Sequence, residues 1–188
     1  FRDKAGHGCS VLSDKQLAGN PAGDVIDLIS SGNLIERTVG IATANSLLNA
    51  QGIEGSAQGC TILYGDLLDT ITVTTEDRVG MVGFFAPLLS ELRKRAGEVL
   101  IFEKNPDRAA GLYSDEQVPD LLPSCSVAII TATSIINDTF GAIARAAGNS
   151  RIVAVLGAST PLAPDIFKKY GVTHLSGVII TDPVSILR

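Results

Sequence analysis

One stretch limits what this chain can fold into. Residues 78–103, RVGMVGFFAPLLSELRKRAGEVLIFE, open with an apolar strand over 79–84. A sharp turn, Gly83-Phe84-Phe85-Ala86-Pro87, follows, and then a helix over 88–96 that Gly97 stops. A second apolar strand over 99–102 ends on Glu103. Strand, glycine turn, helix, strand and acid in this order form the first half of a dinucleotide-binding type of α/β unit. Glu103 lies 20 residues after Gly83, near the place of a ribose-binding carboxylate in such folds.

The fingerprint departs from the dinucleotide pattern. Its glycines read G-x-x-G-x-x-A from Gly80 to Ala86, and two phenylalanines fill the turn that a pyrophosphate would approach. This favours Gly80 and Gly83 as packing glycines over nicotinamide binding. Either way, a helix N-terminus at Pro87 faces the carboxyl edge of the sheet, where an anion is at home.

Around this unit the pattern predicts further elements. Residues 1–13 read as an extended piece. Asn20-Pro21 starts a helix that runs to Ile29. Asn33 and Glu36 have capping-box spacing for a second helix, which runs to about Ala50 and stops at Gly52. Asn45 shares the apolar face of that helix with Ile41, Ala42 and Leu48, so it either bonds a neighbouring backbone group or points into a cleft. Residues 53–69 read as a connection, and 71–74 alternate like a short strand. Residues 104–123 read as a long loop with one short helix over 119–122. Apolar runs over 127–132, 151–156 and 173–180 supply three more strands. Helices start at Asn137-Asp138-Thr139, at Pro164 and after Asp182-Pro183.

These elements carry the main functional reading. Glu103, Thr131, Thr133, Asn137, Ser159, Thr160 and Asp182 each follow an apolar strand at its carboxyl end. A parallel sheet gathers such positions on one rim, where open α/β sheets bind ligands. Hydroxyls, amides, helix N-termini and two acids suit a polar or anionic small molecule better than nucleophilic catalysis. There is no G-x-S-x-G elbow and no Ser/His/Asp order. Glu103 and Asp182 read as caps or ribose contacts ahead of an acid–base pair.

Composition narrows the classes. Of 188 residues, 45% are hydrophobic and 19% charged, as in a globular chain. A net charge of -5 without a basic block argues against nucleic acid as a partner. No apolar run is long enough to span a bilayer, so a membrane is not expected either. Cys9, Cys60 and Cys125 form no C-x-x-C pair, which argues against a disulfide framework or zinc ribbon and fits a reducing cytoplasm. His7-x-Cys9 and the lone His174 read as structural, so no protein-held metal is expected.

Five motifs in order, VGMVGFFAPL (79–88), IFEKNP (101–106), ITATSIINDTF (130–140), LGASTPLAPDIF (156–167) and GVTHLSGVIITDP (171–183), resemble the putative heavy-metal chelation domain family. IATANSLLNA (41–50) is similar to the last helix of that family's amino-terminal lobe. The resemblance implies an α/β fold: a Rossmann-like parallel sheet of about five strands over 70–188, flanked by helices, joined to a small enolase-N-terminal-like α+β lobe over 1–69. That lobe is expected to be shortened, lacking a first strand and helix, because the chain is truncated or because the rest lies upstream. The resemblance implies a cleft lined by Asn45, Gly83, Phe85, Pro87, Glu103, Thr131, Asn137, Thr139, Ser159, Thr160, Pro161 and Asp182. In it a metal-chelating small molecule would be bound or processed, with any metal ion carried by the ligand. Two alternatives stay open: an enzyme using S-adenosylmethionine or a dinucleotide, with Glu103 on the ribose, and a non-catalytic module serving homo-oligomerisation or a partner protein.

Overall fold

The computed structural model describes residues 17–52, 59–105 and 110–186. The expected extended piece at 1–13 and the His7–Cys9 pair lie outside them, as does part of the connection after Gly52. Two amino-terminal helices come first, α1 (Ala22–Ile26) and α2 (Leu34–Gln51). The Asn33 side chain caps α2 by accepting from the Ile35 and Glu36 amides, and Gly52, at φ 77°, closes it. A single turn, α3 (Leu67–Thr70), follows. The alternating units come next: β1 (Arg78–Val82), α4 (Ala86–Arg95), β2 (Glu98–Glu103), β3 (Tyr113–Ser114), α5 (Val118–Leu121), β4 (Val127–Thr131), α6 (Thr133–Ile136), α7 (Phe140–Ala146), β5 (Ile152–Leu156), α8 (Pro164–Lys168), β6 (His174–Ser176) and α9 (Pro183–Ile186).

All six strands pair in parallel, in the order β3-β2-β1-β4-β5-β6. This is the strand order of dinucleotide-binding folds. The sheet has six strands rather than about five because Tyr113–Ser114 adds a two-residue edge to β2. The four central strands are buried on both faces, which explains their unbroken apolar runs. Alternate side chains divide into two clusters. Leu100, Phe102, Ala128, Ile130, Val153 and Val155 meet Val118, Leu122, Phe140 and Phe167 on one face. Val79, Met81, Ile101, Val127, Ile129 and Ile152 meet Leu67, Leu68 and Leu92 on the other. Gly80 is a packing glycine, since a Cβ there would lie 2.3 Å from a Leu122 methyl.

Three expectations are revised in detail. Ile71 and Val73 are buried as their alternation implies, but the segment joins no ladder. The expected strand over 173–180 pairs only at His174–Ser176, because β5 ends opposite Ser176. The helix expected from Asn137-Asp138-Thr139 follows as α7, but a further short helix, α6, precedes it, with Asp138 at φ 61° between the two. Among the described residues, no helix is long and apolar enough to cross a membrane.

Candidate functional site

Strand order reverses between β1 and β4, and the turns leaving these strands form the centre of the carboxyl rim. Gly83 leaves β1 at φ 95°, and a Cβ there would lie 2.9 Å from the Thr131 Cβ. Both the conformation and the close approach require glycine. The Gly83 amide donates to the Phe102 carbonyl at 2.8 Å, the Ala132 amide to Leu156 at 2.9 Å, and the Gly157 amide to Ser176 at 3.0 Å. Each turn is thus tied to a carbonyl in the last two residues of a neighbouring strand. The Thr131 and Thr133 hydroxyls share a hydrogen bond of 2.9 Å on the β4 side of this gap.

Helix α4 opens beside the gap. Phe85 is its N-cap and provides no side-chain acceptor, while Pro87 sits in the first turn. The first-turn amides of α4 thus lack a side-chain cap at the positive end of the helix dipole. Phe84 and Phe85 are half-buried against the apolar cluster of Leu92 and Met81. Glu103 ends β2, one strand from Gly83, and accepts from the Lys104 amide at 3.0 Å. Two strand spacings, about 10 Å, separate it from the β4 end.

On the other side of the gap, Asn137 ends α6 and its amide donates to the Thr133 carbonyl at 2.9 Å. Thr139 N-caps α7 and its hydroxyl donates to the Ser134 carbonyl at 3.3 Å. Ser159 is half-buried after the Gly157 turn. Thr160 is buried and its hydroxyl donates to the Ser176 carbonyl at 2.9 Å, and Pro161 beside it is buried too. Asp182 is committed elsewhere. It caps α9, accepting from the Val184 and Ser185 amides at 3.1 Å and from the Ser185 hydroxyl at 2.6 Å. The Ser185 hydroxyl and amide hold its carboxyl below the usual range.

Helix α2 is fastened across this rim by two contacts that the sequence reading missed. Arg37 donates from Nη1 to the Ile136 carbonyl at 2.8 Å, and from Nε and Nη2 to the Ser31 carbonyl. Asn49 pairs with the Ile180 backbone, donating from Nδ2 to its carbonyl at 3.1 Å and accepting its amide at 3.0 Å. Arg37 and Asn49 lie twelve residues apart, roughly 18 Å along the helix. Their partners are backbone groups about a hundred residues away, which no local pattern announces. Asn45 lies between them and lines a small pocket with Leu48, Thr160, Leu162, Val178 and Ile179.

Groups suited to metals are sparse here. Among the described residues no three His, Cys, Asp or Glu side chains cluster to hold an ion. His174 bonds Thr173 through Nδ1 at 2.8 Å, and burial pushes its pKa down, which favours the neutral ring. Cys125 is buried, and burial pushes its thiol pKa up.

A family model described as putative heavy-metal chelation matches residues 66–188, and a second model with the same description matches 2–48. An uncharacterised protein of Methanocaldococcus jannaschii is 25% identical over 162 residues, which is 85% of this chain and 60% of that protein. The chain therefore spans less than two thirds of this curated relative. The crystal structure of a protein of unknown function from Desulfitobacterium hafniense has a TM-score of 0.80 at 24% identity, covering 100% of this chain and 72% of its own. Another, from Pyrococcus horikoshii, has a TM-score of 0.79 at 27% identity, covering 89% and 67%. Both solved proteins come from the family whose model matches residues 66–188.

Proposed function

The chain belongs to the putative heavy-metal chelation family, and from that premise we propose that it binds a small, polar or anionic, metal-chelating molecule on the carboxyl rim, beneath helix α2. The observation that carries this reading is the β1/β4 gap. There the left-handed Gly83 turn, the Thr131–Thr133 hydroxyl pair and the start of α4 lie together at the reversal of strand order. An anionic ligand edge meets amides and hydroxyls there, while Glu103 and Asn137 flank it on either side.

The metal travels with the ligand. Among the described residues no ligand cluster competes for a bare ion, whereas a chelate brings its own donors and needs only a shaped, polar rim. Calorimetric titration with nickel ions, with citrate and with nickel citrate tests this. Nickel citrate is expected to bind at least tenfold more tightly than either component. Equally tight binding of nickel alone sinks the reading.

A second reading has one specific observation behind it. The strand order and the place of Glu103 at the end of β2 match the ribose-binding position of dinucleotide folds. The inward packing of Phe84 and Phe85 also keeps their rings on the apolar cluster. On this reading the protein is an enzyme using S-adenosylmethionine or a dinucleotide. A rise in melting temperature with either cofactor, lost in Glu103→Ala, selects it over the chelate.

A further inference from the structure

We infer that the pocket beneath α2 is a subsite for an uncharged ligand group that donates one hydrogen bond from an apolar body. The inference rests on the reading of this cleft as a ligand site and adds the chemistry of its far side. Leu48, Leu162, Val178 and Ile179 line the pocket, and none of them carries charge. Its other polar walls are already engaged: Asn49 by the Ile180 backbone, and the Thr160 hydroxyl by the Ser176 carbonyl. Gly177 lets the wall come close, since a Cβ there would lie 3.0 Å from the Thr160 carbonyl oxygen.

Asn45 is the exception. Its Oδ1 is closed off from solvent and has no hydrogen-bond partner among the described residues. An orphaned buried acceptor is unfavourable, because it has given up water without gaining a partner. The amide turns easily about its last side-chain bond, which has a broad, roughly two-fold profile. Turning the carbonyl toward a donor in the pocket removes that cost, so a donor-bearing guest is favoured over an acceptor of the same shape. The walls carry no positive charge to hold an anion. The rim thus divides into a polar end at Gly83 and Thr131 and an uncharged end at Asn45.

Two probes of matched shape test this, 2-propanol, which donates, and acetone, which only accepts. Side-chain amide resonances of Asn45 are followed by NMR in the full chain during titration with each. The expected result is a saturable shift with 2-propanol and at least fivefold weaker binding of acetone. Asn45→Leu, which removes the orphaned group without enlarging the pocket, is expected to fold and to abolish that preference. Ile179→Trp, which fills the pocket and leaves Asn45 in place, is expected to block both probes. Equal binding of the two probes overturns the inference, as does a pocket that holds water and admits neither. Nickel citrate titration of the same samples separates the two readings. Chelate binding without probe preference sinks this inference alone, and probe preference without chelate binding sinks the proposed function alone.

Discussion

The two edges of the sheet are built from different chemistry. At the amino-terminal edge a buried carboxylate is saturated by charged and polar partners. Asp77, 7% exposed, accepts from Arg151 Nη2 at 2.7 Å, from the Ser126 hydroxyl at 2.7 Å and from the Thr74 amide at 2.8 Å. Arg151 also donates to the Thr72 carbonyl at 2.8 Å. Burial pushes the Asp77 pKa up, but the hydrogen bonds from Arg151, Ser126 and Thr74 outweigh it and hold the carboxyl at about 2. At the carboxyl edge the centre is neutral, with hydroxyls bonded to one another and left-handed turns at Gly83, Gly157 and Asp138. A strong ion pair therefore marks where the fold is fastened. The candidate ligand site is the edge whose polar groups are weakly engaged.

Breaking the fastened edge should have the largest effect. Asp77→Ala removes the acceptor shared by Arg151, Ser126 and Thr74 and is expected to cost about 2–3 kcal/mol, read as a lower urea midpoint. A loss under about 1 kcal/mol would erase the contrast between the edges. The same carboxylate predicts a pH response. Its folded pKa is depressed from 3.8 to about 2, so its stabilisation is fully present above the unfolded value and lost as pH falls through the folded one. That is about 2 kcal/mol, which urea midpoints taken between pH 5 and pH 2 should detect and Asp77→Asn should remove.

At the carboxyl edge smaller effects are expected. Asp182→Ala removes the α9 cap and should lower the urea midpoint only slightly, with nickel citrate affinity unchanged; a large loss of affinity would return Asp182 to the site. Thr131→Val should alter stability by no more than about 0.5 kcal/mol while weakening nickel citrate binding about fivefold or more. Unfolding in place of lost binding would make Thr131 a fastening residue like Asp77.

The sequence made one edge legible and left the other unread, although the same geometry governs both. Apolar runs at 79–84, 99–102, 127–132 and 151–156 revealed four strands, and the polar residues after them revealed the rim. Residues just before those strands converge equally well. Asp77 precedes β1, Ser126 precedes β4 and Arg151 precedes β5, so the ionic cluster was readable by symmetry. Tyr113–Ser114 was not, because two residues carry no periodicity and only pairing with β2 defines them as a strand. Asn137-Asp138-Thr139 reads as a helix start, and a start does follow. The left-handed Asp138 that separates α6 from α7 comes from the local turn, which asparagine and aspartate tolerate.

The clasp between Asn49 and Ile180 has a consequence during synthesis. Helix α2 leaves the ribosome well before the segment that holds its carboxyl end, which is made 131 residues later. At about 5–20 residues per second, the helix waits on the order of ten seconds for its anchor. The roof over the rim is therefore fastened only after the sheet beneath it has been translated.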